Sequence, residues 1–132
     1  MSSLEDCIFC SKKNCKIIKS TKFFFIIRDT AYPVTKHHTL IVTNRHVSSY
    51  FDLDKDEIVE LDKLIKQQKR ELINLDSGIS GFNIGVNIGE DAGQSIMHCH
   101  IHLIPRRKGD VKDPRGGVRG VIPEKQKYKK KN

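Results

Sequence analysis

His98-Cys99-His100-Ile101-His102-Leu103-Ile104 decides how this chain is read. Polar and apolar residues alternate across it, and a period of two is the mark of a β-strand with one face against a hydrocarbon interior. Such a strand aligns three imidazoles on one face and sets Cys99, Ile101 and Leu103 on the other. Half of the chain's six histidines then stand in one row. Imidazole is the side chain best suited to act near neutral pH as nucleophile, proton donor or metal ligand. A lone strand histidine is ordinarily a satisfied core or surface residue; three in register have no such structural need.

The flanking segments place this strand in a fold. Residues 82–88 (Phe-Asn-Ile-Gly-Val-Asn-Ile) alternate cleanly and predict another strand, with Asn87 opposite its apolar face. Residues 89–95 form a glycine-bearing loop that feeds the histidine strand, and Pro105 is expected to end that strand. Residues 23–27 (Phe-Phe-Phe-Ile-Ile) predict a strand buried on both faces. Residues 39–42 predict another, with His37-His38 at its entrance and residues 43–46 at its exit. Asp52, Asp54, Asp56 and Glu57 suit a helix start. Ile58, Leu61, Leu64, Ile65, Leu72 and Ile73 recur at helical spacing, which predicts a helix to about Leu75. Ser77-Gly78 and Ser80-Gly81 read as breaks. Strands, helix, then strands with short connections predict an α+β domain with an antiparallel sheet.

At 132 residues, 37% hydrophobic and 30% charged, the chain suffices for one globular domain. No apolar run approaches the roughly 20 residues of a membrane helix, and the first fifteen residues lack the basic-then-apolar layout of an export signal. We therefore expect a cytoplasmic protein without a membrane partner. The net charge of +8 falls entirely after Ile104, where eleven Lys/Arg face three Asp/Glu. Such a segment attracts polyanions. The last stretch, residues 125–132, is expected to be a solvated basic tail. With only Tyr128 to stack on a base, nucleic-acid binding is disfavoured.

Three of the four cysteines, Cys7, Cys10 and Cys15, fall within the first fifteen residues. Without an export signal a disulfide scaffold is not expected. Cys7 and Cys10 have the C-x-x-C spacing that lets two thiolates share one metal. The competing redox reading needs a preceding strand and a following helix, and no strong strand precedes this pair.

Three elements converge on the histidine row. Glycines of the 89–95 loop, Gly93 among them, let backbone N–H groups approach an anion, and Gln94 and Ser95 add side-chain donors. Asn87 and the basic run Arg106-Arg107-Lys108 complete the set. A neutral imidazole attacks phosphorus without charge repulsion, and the labile phosphoramidate divides one hard displacement into two. Surrounding donors hold the phosphate oxygens as charge redistributes.

The run Gly93-Gln94-Ser95-Ile96-Met97-His98-Cys99-His100-Ile101-His102-Leu103-Ile104-Pro105-Arg106 resembles the signature of the histidine triad (HIT) superfamily of nucleotidyl hydrolases and transferases. His38-Thr39-Leu40-Ile41-Val42 and Arg45-His46-Val47 resemble its upstream strand and exit. Cys7-Ile8-Phe9-Cys10 resembles the start of its zinc-bearing members. Residues 113–123 resemble the tail of a bacterial subgroup described as diadenosine tetraphosphate hydrolase-like. The resemblance implies a HIT-like fold, an antiparallel sheet of about five strands with one long and one short helix, in a domain spanning residues 1–124 that includes a zinc-binding segment at 1–15.

It also implies an activity: cleavage of dinucleoside polyphosphates or related adenylated compounds to AMP through a nucleotidyl-histidine intermediate. His100 would be the nucleophile. His102 and His38 would orient or protonate phosphate oxygens, Ser95 and Asn87 would bind phosphate with Gly93 and Gln94, and Asp29 or Thr30 would lie near the ribose. The family's usual Pro-Gly before its upstream histidine is Lys36-His37 here. A structural zinc would be held by Cys7, Cys10, His46 and His98, with Cys15 in place of His98 as the alternative. The resemblance further implies a homodimer acting on a purine nucleotide. A nucleoside phosphoramidase and a non-catalytic nucleotide sensor or scaffold are the other functions it admits.

Overall fold

A computed structural model of the chain describes residues 7–13 and 15–128. A short helix α1 (Ile8–Ser11) precedes strands β1 (Ile17–Ser20), β2 (Phe24–Arg28) and β3 (Thr39–Thr43). A long helix α2 (Lys55–Leu75) follows, then β4 (Ile79–Gly85) and β5 (His100–Arg107). The five strands form one sheet in the order β1-β2-β3-β5-β4, every neighbouring pair antiparallel. Fold class and strand number agree with the expectation. The basic residues 129–132 and the segment before Cys7 lie outside the described residues. Among the described residues no helix is long and apolar enough to cross a membrane.

The histidine strand occupies an interior position, between β3 and β4. One sheet face carries Phe24, Ile26, Ile41, Cys99 and Ile101 against Leu61 and Leu64 of α2. The other carries Phe25, Ile27, Leu40 and Val42 against Cys7 and Phe9 of the N-terminal segment. Strands β2 and β3 are therefore apolar on both sides, as Phe23 to Ile27 suggested. Helix α2 begins in a capping box: Asp54 accepts the Glu57 N–H and Glu57 accepts the Asp54 N–H. Arg45 clasps the same buried Glu57 carboxylate, which holds that carboxyl below its ordinary range. The helix start thereby fixes the loop that carries His46.

Four expectations need correction. Pro105 does not end its strand; β5 continues to Arg107. Pairing with β3 stops at Leu103, so the missing N–H of Pro105 costs no ladder bond, and its carbonyl accepts from Thr35 Oγ1 instead. Strand β4 runs from Ile79 to Gly85, not from 82 to 88, because its pairing with β5 is exhausted at Gly85↔His102. Ser80-Gly81 lies inside β4, at an irregularity of register rather than at a break. The edge strand β1 was not anticipated: four residues with a lysine among them carry too little periodicity.

Candidate active site

His98 stands two residues before the start of β5, and His100 and His102 are that strand's first and third residues. Val42 pairs with His100 and Leu40 with His102. Paired residues share a face, so both imidazoles lie on the side covered by the N-terminal segment, while Cys99 and Ile101 enter the α2 side. His38, two residues before Leu40, reaches the same face. Phe9 of α1 packs edge-on against both His98 and His100, with ring centroids 5.8 and 5.0 Å apart.

The hydrogen bonds determine which nitrogen of each ring is free. His100 Nδ1 lies 2.8 Å from the carbonyl of His98. A carbonyl only accepts, so the proton is on Nδ1 and Nε2 keeps its lone pair. Val34 N–H donates to His38 Nδ1 at 3.0 Å, which puts the His38 proton on Nε2. That nitrogen lies 2.9 Å from His102 Nδ1 and donates to it, leaving the His102 proton on its own Nε2. The row thus offers one nucleophilic nitrogen at His100 and one N–H donor at His102. Burial lowers the affinity of all three rings for a second proton. His102, also beside His100 and His38, is pushed down to about 4. Each ring is therefore neutral at pH 7, the form a nucleophile needs.

Asp29 closes the β2–β3 connection. Its N–H donates to the His38 carbonyl. Its Oδ1 accepts from Ala31 N and Tyr32 N, and its Oδ2 lies 3.9 Å from His38 Nδ1. A cleft of about 370 Å³ opens beside it, walled by Phe9, Ile27, Leu40 and Ile96, with Thr30 at its edge. Asn87 lies beyond the end of β4 and lines a second groove with His38 and His102.

The glycine loop is arranged differently from the expectation. The Ala92, Gly93 and Gln94 N–H groups are bonded to Gly89 and Glu90 carbonyls within the loop. The Gln94 side chain is buried, accepting from Gly89 N and donating to the carbonyls of Ser48 and Ile96. Gln94 and Gly93 shape the loop and have no donor left for a ligand. The exposed Ser95 hydroxyl and the Ser95, Ile96 and Met97 amides have no protein partner among the described residues.

A second cluster lies behind the row. One donor atom each from Cys7, Cys10, His46 and His98 falls within 4.8 Å of the others. Individual separations are 3.0 Å for Cys10–His46, 3.2 Å for His46–His98, and 3.4 and 3.5 Å from His98 to Cys7 and Cys10. A tetrahedral ion with bonds of about 2.0–2.3 Å places its ligands roughly 3.3–3.8 Å apart. His98 Nε2 lies 2.7 Å from the Thr43 carbonyl, so its proton is there and Nδ1 faces the other three ligands. The donor set fits a closed metal site. Cys15 is outside it, its thiol directed to the Ile8 carbonyl.

Some contributors were invisible in the sequence. The Val34 amide and the Thr43 and His98 carbonyls are backbone groups, which residue identity does not reveal. Phe9 carries a signal, an aromatic inside the C-x-x-C pair. Gly117, Val118 and Val121, which line the groove beside His102, stand out in the sequence only as part of the resembling tail.

Comparison with known proteins agrees with this geometry. Residues 11–109 match the HIT domain family model. An uncharacterised HIT-like protein of Methanocaldococcus jannaschii is 34% identical over 108 residues, covering 79% of this chain and 81% of that one. The asymmetrical bis(5′-nucleosyl)-tetraphosphatase of Schizosaccharomyces pombe is 33% identical over 81 residues, which span 61% of this chain but 44% of that enzyme. A Zn-bound histidine triad family protein from Mycobacterium smegmatis superposes with a TM-score of 0.73 at 24% identity, over 92% of this chain and 94% of that one. Family match, fold and the histidine row all lead to one assignment: the chain belongs to the HIT family.

Proposed function

We propose that the chain is a nucleotidyl hydrolase that cleaves dinucleoside polyphosphates or related adenylated compounds to AMP. The observation that carries this reading is the His98 carbonyl, which holds the His100 proton on Nδ1 and leaves the Nε2 lone pair free. Nε2 attacks the α-phosphorus; the phosphorus–nitrogen bond forms as the bridging bond breaks, and the leaving group departs with that electron pair. Water then attacks the same phosphorus, the phosphorus–nitrogen bond returns its pair to Nε2, a proton passes to solvent, and AMP leaves. The N–H on His102, the hydroxyl of Ser95 and the free amides of residues 95–97 supply donors for the phosphate oxygens, with Asn87 beyond them. His38 holds His102 in the donating tautomer. The nucleoside occupies the cleft between Phe9, Ile27, Leu40 and Ile96, with Asp29 toward the ribose.

Zinc is the ion that two thiolates and two imidazoles select. Held by Cys7, Cys10, His46 and His98, it would have no open position and would serve structure alone. Its thiolate ligands suit a reducing compartment such as the cytoplasm. Homodimerisation through β4, whose outer edge has no strand beside it and which bears the half-exposed Ile84, completes the reading. The test is AMP release from diadenosine tetraphosphate by wild type and His100→Ala. Turnover by wild type alone is expected; equal slow release by both overturns the reading. Running adenosine 5′-phosphoramidate in parallel ranks the phosphoramidase alternative.

A further inference from the structure

The sheet face opposite the histidine row carries a cation that the reaction does not use. Arg28 pairs with Thr39 across β2 and β3, and both side chains lie on the α2 side of the sheet, the side of Ile26 and Ile41. Arg28 Nη1 donates to Thr39 Oγ1 at 2.8 Å and to Gln68 Oε1 of α2 at 2.7 Å. Thr39 and Gln68 are fully buried, and burial lowers the affinity of Arg28 for its proton. Among the described residues no carboxylate lies within ion-pair distance of this guanidinium. Glu71 is linked to it through Gln68, whose Nε2 donates to Glu71 Oε2. A desolvated cation bonded to neutral oxygens adds little to the stability of a core, so its presence calls for another reason.

That reason lies one bond further on. Thr39 Oγ1 accepts from Arg28 and donates its own proton to the His37 carbonyl at 2.8 Å. A cation bonded to the hydroxyl oxygen makes the hydroxyl a stronger donor. The His37 carbonyl shares a peptide plane with the His38 N–H, and that N–H donates to the Thr35 carbonyl. The plane that enters His38 is therefore fastened at both ends. The plane that leaves it is fastened by the Asp29 N–H on the His38 carbonyl. Arg107 Nη2 holds the plane before His37 by the Lys36 carbonyl. His37 has a φ of 72°, a conformation that is unfavourable for a residue with a side chain and persists only where its surroundings over-determine it. From this held backbone the His38 ring meets the Val34 N–H with Nδ1 and His102 with Nε2.

On the hydrolase reading above, we propose that Arg28 and Thr39 are positioning residues: by holding the His37 carbonyl they keep His38 in the orientation that makes His102 an N–H donor to the substrate phosphate. Neither residue touches substrate through this route. Arg28 orients the Thr39 hydroxyl, the hydroxyl holds the peptide plane, and the plane holds the ring. The route passes through the sheet, from Gln68 on α2 to the histidine row on the other face.

The experiment joins imidazole nitrogen-15 NMR of the full chain, which distinguishes the two tautomers of a neutral ring, with kcat for diadenosine tetraphosphate. In wild type, His38 and His102 are expected to carry their protons on Nε2. Thr39→Val removes the hydroxyl at nearly constant shape. It should mix the tautomers of both rings and lower kcat about tenfold, the scale of one charge-assisted hydrogen bond. Thr39→Ser should restore both. Arg28→Met should act in the same direction and add nothing further in the Thr39→Val background; it carries the same prediction alone if Thr39→Val does not fold. Ile26→Val, on the same sheet face, should lower the melting temperature and leave the ring signals and kcat as they are. Wild-type tautomers and kcat in Thr39→Val overturn the positioning role. So does a loss that Thr39→Ser fails to recover, or one that Ile26→Val reproduces. A wild type that holds both rings as stated but is inactive on diadenosine tetraphosphate overturns the hydrolase reading instead.

Discussion

His98 and His100 are two residues apart, on one face of one segment, yet the structure gives them opposite chemistry. His98 donates its Nε2 proton to the Thr43 carbonyl, so Nδ1 faces Cys7, Cys10 and His46. His100 donates its Nδ1 proton to the His98 carbonyl, so Nε2 faces the open site. Residue type is identical, and the partner of the second nitrogen decides the role. The two regions are also joined. The residue that completes the Cys/His cluster also supplies the carbonyl that orients the His100 ring, and Phe9 is wedged against both rings.

Removing each half in turn tests this division. His100→Ala should lower kcat by roughly 10³-fold or more, the scale of losing a covalent nucleophile, while AMP still binds by calorimetry. Retention of most of the activity would break the comparison, because another group would then be attacking phosphorus. Cys7→Ser should act on the other side. Metal content, measured on unchelated protein, should fall from about one zinc per chain, and the melting temperature should drop with it. Activity should decline through loosening of the strand that carries His100. A variant with unchanged metal content would show that Cys7 is not a ligand.

Much of this division was legible in the chain because it follows from a period of two. A strand with alternating histidines and apolar residues fixes which side chains share a face, and C-x-x-C spacing brings two thiolates together. The fold followed from the same patterns, in β2, β3 and α2. What could not be read depends on backbone partners or on tertiary position. No pattern in the sequence shows that Val34 donates to His38, that Gln94 spends its amide on the loop it belongs to, or that Pro105 continues a strand whose neighbour has already ended. The C-terminal 3-10 turns, Gly117–Val121 and Pro123–Lys125, have no periodicity, since their shape is set by Gly116 against Gln126.

The His38–His102 pair offers a finer test. Both rings are held neutral, His102 to about pH 4, whereas an unfolded histidine titrates near 6.5. Between those values the unfolded chain binds more protons, so the contribution to stability is complete above pH 6.5 and is lost as pH falls toward 4. His102→Asn should flatten the urea-derived stability profile in that window relative to wild type. An unchanged slope would mean that the ring is not held neutral. The smallest expected effect is at His37, whose φ of 72° is unfavourable for any side chain. His37→Gly should stabilise the fold by about 1 kcal/mol without changing kcat. Destabilisation would show that the His37 side chain contributes more than its backbone strain costs.

The central claim is that His100 Nε2 forms a bond to phosphorus. Rapid acid-free quenching during turnover of diadenosine tetraphosphate, followed by peptide mass spectrometry, measures it directly. The account predicts an adenylyl group on the peptide containing His100, present in wild type and absent in His100→Ala. An adduct on a different residue, or an active wild type that never carries one, would contradict it.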